Sequence, residues 1–548
     1  MQPETVTWRV FDLDLALGEP EQALRARACA RLGVAQEELR GFRLSRKSLD
    51  VRGRRRGRAP RYVVTADLML ASGRRSDRLA RALRSGEVAR APEPARLVPH
   101  EVHASLRGSR AARAVVVGSG PAGLFAALPL ALAGLEVTLI ERGARLDRRS
   151  KALARFHRTR RPDPESNLLF GEGGAGTYSD GKLYTRVDDP LEVPILEQLV
   201  AAGARPEILY DSRAHVGTDR LHRLLPRLRA RLEAAGVRFA WDTRLEALLC
   251  EGGLVRAVRT SAGEIPCDAL VLAVGHSARD TWRALSAQGL AFEARAFQLG
   301  LRVEHPQELV DAARFGAVPE LRALGAASYN LVCKAGDGAP AAHSFCMCPG
   351  GRIVASVNEP GLLCTNGMSN STHSSPYANA AVVTTLRPQD FGPGPFAGVE
   401  LQRELEARFF QAGGADYTAP AQRVADFVAG RESGGEIGPT SYVFGTRAAR
   451  LDLLLPDAVR RALARAFERF ERAIPGFAGE RGLLVGLESR SSTPLCIPRA
   501  RDTRRAPGFA NLYPAGEGAG YAGGIVSAAL DGAKSARALL ALGVGARA

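Results

Sequence analysis

The sequence predicts an α/β protein organised on a parallel β-sheet, and three stretches carry that prediction. Ala114–Arg142 reads as a strand, a glycine turn, a helix and a second strand. Residues 237–275 read as a three-stranded antiparallel meander set between two strands of the parallel type. Asn511–Ala536 reads as a late strand that closes on glycines and feeds a final helix.

The first stretch is the most informative. Ala114–Val117 is apolar and rich in β-branched residues, as a parallel strand buried on both faces requires. Gly118, Gly120 and Gly123 follow as G-x-G-x-x-G, with Ser119, Pro121 and Ala122 between them. The first glycine permits a tight turn, the second lets the backbone approach a pyrophosphate, and the third lets the helix lie close on the strand. Pro121 suits a first helical turn, where its missing N–H has no partner to lose. A helix from about Pro121 to Ala133 then turns free N–H groups and its positive dipole end toward phosphate. Gly134 stops it, and Glu136–Ile140 forms the second strand. Glu141 stands 23 residues after Gly118, where a carboxylate accepts hydrogen bonds from a ribose diol and repels a 2′-phosphate; Arg142 beside it softens that exclusion. The glycine spacing recurs at Gly171, Gly173, Gly176 and at Gly518, Gly520, Gly523, but only the first copy has strand, turn, helix, second strand and acid together. The expectation is a Rossmann-like dinucleotide cradle.

Phe170–Leu183 is a polar glycine loop holding Gly174, Thr177, Ser179, Asp180 and Lys182, with a backbone able to lie against a ligand. Thr218 is placed to cap a helix running to Ala235. After the meander, Ala269–Gly275 returns to the parallel sheet and ends in glycine. A meander between parallel strands is the order found in flavoproteins with dinucleotide folds, so FAD is the expected cofactor. Near the end, Gly516 and Glu517 close a strand, and a helix starting near Gly524 and Ile525, just past Gly523, aims free N–H groups forward. Before a flavin, such a helix start stabilises the negative charge that reduction places on the pyrimidine edge.

These readings divide the 548 residues into a small N-terminal α+β, ferredoxin-like unit at 1–100, a discontinuous cofactor domain at 110–281 and 483–548, and an inserted α+β second domain at 282–482. In the first unit, strands are expected at Trp8–Leu15, Phe42–Leu49 and Arg61–Leu70, with a helix at about Glu19–Leu32. With 45% hydrophobic and 24% charged residues the chain has ordinary globular composition. No signal-like segment or apolar run of about 18 residues is present, which points to the cytoplasm rather than a membrane. The net charge of +17 invites a polyanion partner, and residues 1–110 carry 23 Lys+Arg against 13 Asp+Glu, with the run Arg52–Arg61 at their centre. Only five basic residues are lysine, which speaks for a chain-wide arginine bias instead. Nucleic acid is thus a disfavoured partner.

GSGPAG (Gly118–Gly123), GGAGTYSDGKL (Gly173–Leu183), LVLAVGHSARDTW (Leu270–Trp282), FCMCPGG (Phe345–Gly351), TNGMS (Thr365–Ser369) and YPAGEGAGYAGGIVSAALDG (Tyr513–Gly532), in that order, make the chain similar to the NAD(P)/FAD-dependent oxidoreductases labelled uncharacterised FAD-dependent dehydrogenases. The resemblance implies a glutathione-reductase-type FAD fold, with FAD contacted by Gly118, Gly120, Gly123, Glu141, Gly174, Ser179, Gly275, Gly516, Glu517, Gly523, Gly524 and Ile525. Glu517 stands where such proteins commonly carry Asp. The family names a cofactor and leaves the substrate and oligomeric state open.

The expected chemistry is hydride transfer through flavin N5 to or from a small molecule at the boundary of the two domains, with NAD(P)H as one electron donor that would dock without a second cradle. The alternative is a flavin-dependent RNA-binding or RNA-modifying protein delivered by its basic N-terminal unit. Cys346 and Cys348 are the candidate thiols, both on one face of a strand, and Lys182 is the candidate cation. His276, His305 and His343 are weaker acid–base candidates, while Glu488, Arg490 and Arg499 flank the return into the cofactor domain. The C-x-C spacing fits no zinc pattern, so no metal is expected.

Overall fold

A computed structural model describes residues 5–51, 59–71, 76–93, 95–106, 111–185, 187–316 and 318–543. Its parallel sheet runs, edge to edge, Leu512–Pro514, Ala269–Leu272, Arg113–Val117, Glu136–Ile140 and Arg238–Ala240. Both faces are covered, which is why the first strand shows no polar alternation. Ala114 and Val116 pack against the helices Pro121–Leu132, Thr218–Ala234 and Ile525–Leu542, while Val115 and Val117 face the meander and Trp282 on the helix Arg279–Ala287. The meander pairs Leu245–Glu251, Leu254–Thr260 and Gly263–Pro266 antiparallel, as expected.

A seven-stranded sheet forms the second core. Its order is Val332–Cys333, Ala342–Cys348, Tyr377–Leu386, Phe297–Pro306, Leu483–Glu488, Ala419–Arg423, Thr446–Ala448, antiparallel except for the last pair. The helices Ala397–Ala412 and Asp457–Glu471 pack on it through Leu405, Phe409, Leu463 and Phe467. The boundaries read from sequence move accordingly. Leu483–Glu488 is a central strand here rather than the return to the cofactor sheet, and Trp282, taken as the start of the second domain, is buried against the first. Leu483–Glu488 is buried throughout, so its pattern could not say which core it joins. The chain crosses between the two cores through Glu293–Ala294 and Leu495–Cys496, which pair antiparallel.

The N-terminal unit runs strand, helix, two strands, helix, strand. Its sheet order is Gly41–Asp50, Arg61–Ala71, Thr5–Ala16, Val88–Arg90, with the helices Ala23–Leu32 and Asp77–Ser85 packed on it. Residues 52–58 of the arginine run lie outside the described residues. Several other cations here pair internally: Arg9 and Arg43 with Asp67, Lys47 with Glu21, Arg61 with Asp14. Lys47 N donates to Tyr210 O at 2.6 Å and Ser212 N to Lys47 O at 3.0 Å, joining the unit to the cofactor side.

Candidate functional site

The glycine turn is held as its sequence requires. Gly118 adopts φ +102° with Ala273 O 2.3 Å from where a Cβ would stand, and a Cβ on Gly123 would meet Gly118 O at 1.8 Å. Gly120 precedes the helix with no side-chain cap, so the first N–H groups are open to a ligand. The second glycine loop lies against it, since a Cβ on Gly174 would come within 3.0 Å of Gly120 Cα. Gly176 sits beside Ile525 and Pro121, the first residues of the last helix and of the cradle helix. The last helix also lacks a side-chain cap at Gly524, and Gly523 has open space where a Cβ would be. Gly516 lies against Ala122, and Gly518 is pressed onto the Gly275 backbone. Two helix starts without side-chain caps therefore border one glycine loop.

Other expected contacts are engaged within the chain. The buried Glu141 carboxylate accepts from Ser119 N and Oγ, Gly143 N and Gly171 N at 2.7–3.0 Å. Arg142 pairs with Glu165 and Asp280 and lies over the Phe170 ring. Thr177 Oγ1 donates to Glu172 O and Ser179 Oγ to Gly176 O, so both hydroxyls shape the loop. Thr218 does not cap its helix: Gly217, at φ +85° against Ser371, takes that position, and Thr218 Oγ1 donates to Ser179 O at 2.5 Å. Burial pushes the Glu517 carboxyl up to about 8, with Arg295 opposing. Arg149 gave no sequence signal beyond lying in an arginine-rich segment. It is fully buried and donates to Asn167 O, Gly171 O, Glu172 O and Thr177 Oγ1, setting the shape of the glycine loop.

At the other end of that loop, Lys182 reaches the second core. Its Nζ donates to Met347 O at 2.5 Å and pairs with Asp180 Oδ2 at 2.7 Å. The candidate thiols do not share one face of a regular strand. Phe345 pairs with Ala381 and Cys348 with Asn379, so a one-residue bulge intervenes and Cys346 takes φ +44°, a conformation costly for a non-glycine residue. Cys348 is buried, Cys346 half-buried, and both are free thiols. The hydrogen bond from Cys348 and the Lys182 ammonium hold the Cys346 thiol below its ordinary range, while that bond and burial push Cys348 up. Nearby, Arg302 Nη1 and Glu488 Oε2 stand 3.5 Å apart, both buried without a formed hydrogen bond, and the Asn379 amide is likewise unpartnered.

Asp180 also faces two histidines that the sequence did not single out. Its Oδ1 lies 3.2 Å from His215 Nε2, which lies 3.3 Å from His373 Nε2. The three histidines named from the sequence are engaged elsewhere: His305 Nε2 contacts Phe477 O, His343 contacts Gln298, and His276 Nδ1 contacts Ser277 Oγ, with burial, Arg490 and Arg279 lowering His276. Arg490 does not await an anion. With Arg279 it grips the buried Glu406 carboxylate, four N···O contacts of 2.7–2.9 Å. Arg499 pairs with Asp531, which also accepts from Gly516 N.

The parallel sheet, the meander and the paired helix starts define a dinucleotide-binding fold as the class. A family model described as FAD-dependent protein, C-terminal domain-like, matches residues 296–491, and one described as FAD binding domain matches 111–161. An uncharacterized protein of Clostridium beijerinckii (strain ATCC 51743 / NCIMB 8052) is 38% identical over 538 residues, 97% of this chain and 98% of that one. The chain belongs to this FAD-dependent oxidoreductase family, whose members are enzymes, and its cofactor is FAD. A glycine oxidase of Pseudomonas aeruginosa is 32% identical over 203 residues, 30% of this chain and 55% of that one. Among solved structures, L-proline dehydrogenase from P. horikoshii aligns with a TM-score of 0.31 and 13% identity over 78% of this chain and 92% of that one. Glycine oxidase from Geobacillus kaustophilus aligns at 0.30 and 13% over 77% and 93%. Among the described residues no helix is long and apolar enough to cross a membrane.

Proposed function

We propose that the chain oxidises or reduces a small molecule with FAD, at the seam between the parallel sheet and the seven-stranded sheet. The observation that carries this reading is the approach of two helix starts without side-chain caps, after Gly120 and Gly524, to one glycine loop, with Gly174 against Gly120 and Gly176 beside Pro121 and Ile525. Bound FAD supplies a ring that accepts or returns a hydride at N5. The N–H groups after Gly120 would hold its pyrophosphate, and those after Gly524 would favour negative charge developing on its ring. Glu517, held protonated near neutral pH, is a donor for a ribityl or phosphate oxygen. Cys346 Sγ, beside Lys182, serves as the base that takes the proton leaving the substrate, while Cys348 Sγ donates to the Cys346 carbonyl and holds the bulge. The small α+β unit is read as an accessory domain of ferredoxin-like type. NADH, NADPH and, in view of the oxidase similarity, glycine are the first reductants to test.

The experiment is the absorption spectrum of purified protein followed by an anaerobic reduction screen. Flavin bands that one reductant bleaches support the proposal. A colourless chain that does not take up added FAD, or bound flavin that no donor or dithionite reduces, overturns it. Cys346→Ser is expected to retain FAD and lower the flavin reduction rate by about tenfold or more; an unchanged rate removes Cys346 from the mechanism.

A further inference from the structure

Asp180, His215 and His373 come from three separate segments: the glycine loop, the residues before the helix Thr218–Ala234, and the turn after the strand Thr365–Ser369. Each offers one ligand atom, and the three atoms lie within 4.8 Å of one another. Two edges of the triangle, Asp180 Oδ1 to His215 Nε2 and His215 Nε2 to His373 Nε2, measure 3.2 and 3.3 Å. Ligands about 2.0–2.1 Å from a tetrahedral metal stand about 3.3–3.4 Å apart, whereas octahedral ligands at that reach stand about 2.9 Å apart. Two imidazole Nε2 atoms facing each other, one of them also 3.2 Å from a carboxylate oxygen, gain little from a single shared proton. A divalent cation between them satisfies all three.

The surroundings hold the triangle in place. Asp180 is buried and both histidines half-buried. Lys182 Nζ takes the other carboxylate oxygen, Oδ2, and Ser369 Oγ hydrogen-bonds Oδ1 and lies 3.5 Å from His215 Nε2, so the carboxylate is oriented by neighbours as metal-binding carboxylates are. His215 is fixed through a β-bridge to Lys182. His373 takes φ +51°, and its carbonyl is pressed against Gly350, where a Cβ would come within 1.9 Å. Asp219 ties the same turn to the cofactor side by accepting from Ser371 N and Oγ at 2.6 and 2.8 Å.

We propose that Asp180 Oδ1, His215 Nε2 and His373 Nε2 bind one divalent transition cation of the zinc type, with a fourth position open to water or an anionic substrate oxygen. The inference goes beyond the flavin reading and runs against the metal-free expectation from the cysteine spacing. Two histidines and a carboxylate with an open corner form the ligand set of catalytic rather than closed structural zinc sites. The ion would also clamp the turn of the second core to the glycine loop of the first.

The test uses the full chain with its flavin bound. After chelation and dialysis, the protein is titrated with Zn²⁺ and, separately, Co²⁺, with metal content by mass spectrometry and Co²⁺ bands read beyond the flavin absorbance. The expected result is one metal per chain, tetrahedral Co²⁺ bands, and a melting temperature that rises with Zn²⁺. His215→Ala and His373→Gln should each lower metal affinity at least tenfold, while Cys346→Ser and His222→Ala keep it. His373 is half-buried and on a turn, so its variant keeps the test open if His215→Ala unfolds. Absence of stoichiometric binding, an octahedral Co²⁺ spectrum, or retention of metal in His373→Gln overturns the site. Flavin absorbance, read in the same samples, reports separately on the cofactor crevice.

Discussion

Glu517 illustrates how one residue carries the tension between stability and function. Its carboxyl is pushed up to about 8 from an ordinary 4.5, chiefly by burial. Between those values the folded chain keeps a proton that the unfolded chain releases, so stability falls as pH rises from about 4.5 to about 8. Across the whole window the loss from this group is at most about 3–5 kcal/mol. Glu517→Gln, which stays neutral, should match the wild-type flavin-free protein in urea at pH 5 and exceed it at pH 8.5; equal midpoints at both would refute the assignment. At this scale the glycine turn was legible because G-x-G-x-x-G fixes backbone positions by sequence alone. Arg149, His215 and His373 were not. Each acts through partners distant in sequence, and a lone arginine or histidine carries no spacing signal.

Helices and strands reveal a different kind of constraint. The helices Pro121–Leu132 and Ile525–Leu542 cross where Gly532 meets Ala122, and a Cβ there would stand 1.9 Å from Ala122 O. Gly532→Ala must force the helices apart, at a cost of about 2–4 kcal/mol and with weakened FAD retention, because Gly516 also rests on Ala122. Denaturant midpoints and flavin content after gel filtration check this; an unperturbed variant would show that the crossing yields freely. Strand Glu136–Ile140 was readable to the residue, since apolar runs between glycine punctuation leave little freedom. The bulge at Cys346 was hidden, because a C-x-C read with the period of a regular strand puts both thiols on one side, and nothing local marks the extra residue.

The two cores are locked together by charge as well as by packing. Arg279 on a helix of the parallel-sheet side and Arg490 after the central strand of the other sheet share the Glu406 carboxylate. Burial opposes ionisation there, yet the two guanidinium groups hold Glu406 far below the usual carboxylate range. Glu406→Gln leaves two buried cations short of a counter-charge and should destabilise the protein by about 3–5 kcal/mol in urea, whereas replacing all three residues with apolar ones of similar volume should cost much less. A loss under 1 kcal/mol in the single variant would show the cluster to be bystander charge. The sheet that Leu483–Glu488 joins was not legible, because that strand is apolar enough for either core. The paired crossings carry a last consequence. Arg295 N donates to Pro494 O at 2.8 Å beside the Glu293–Ala294 and Leu495–Cys496 ribbon, so roughly two hundred residues leave and re-enter through one doorway. Both ends of that long excursion are thereby held side by side, so the second core has to close on itself before the parallel sheet regains its last strand.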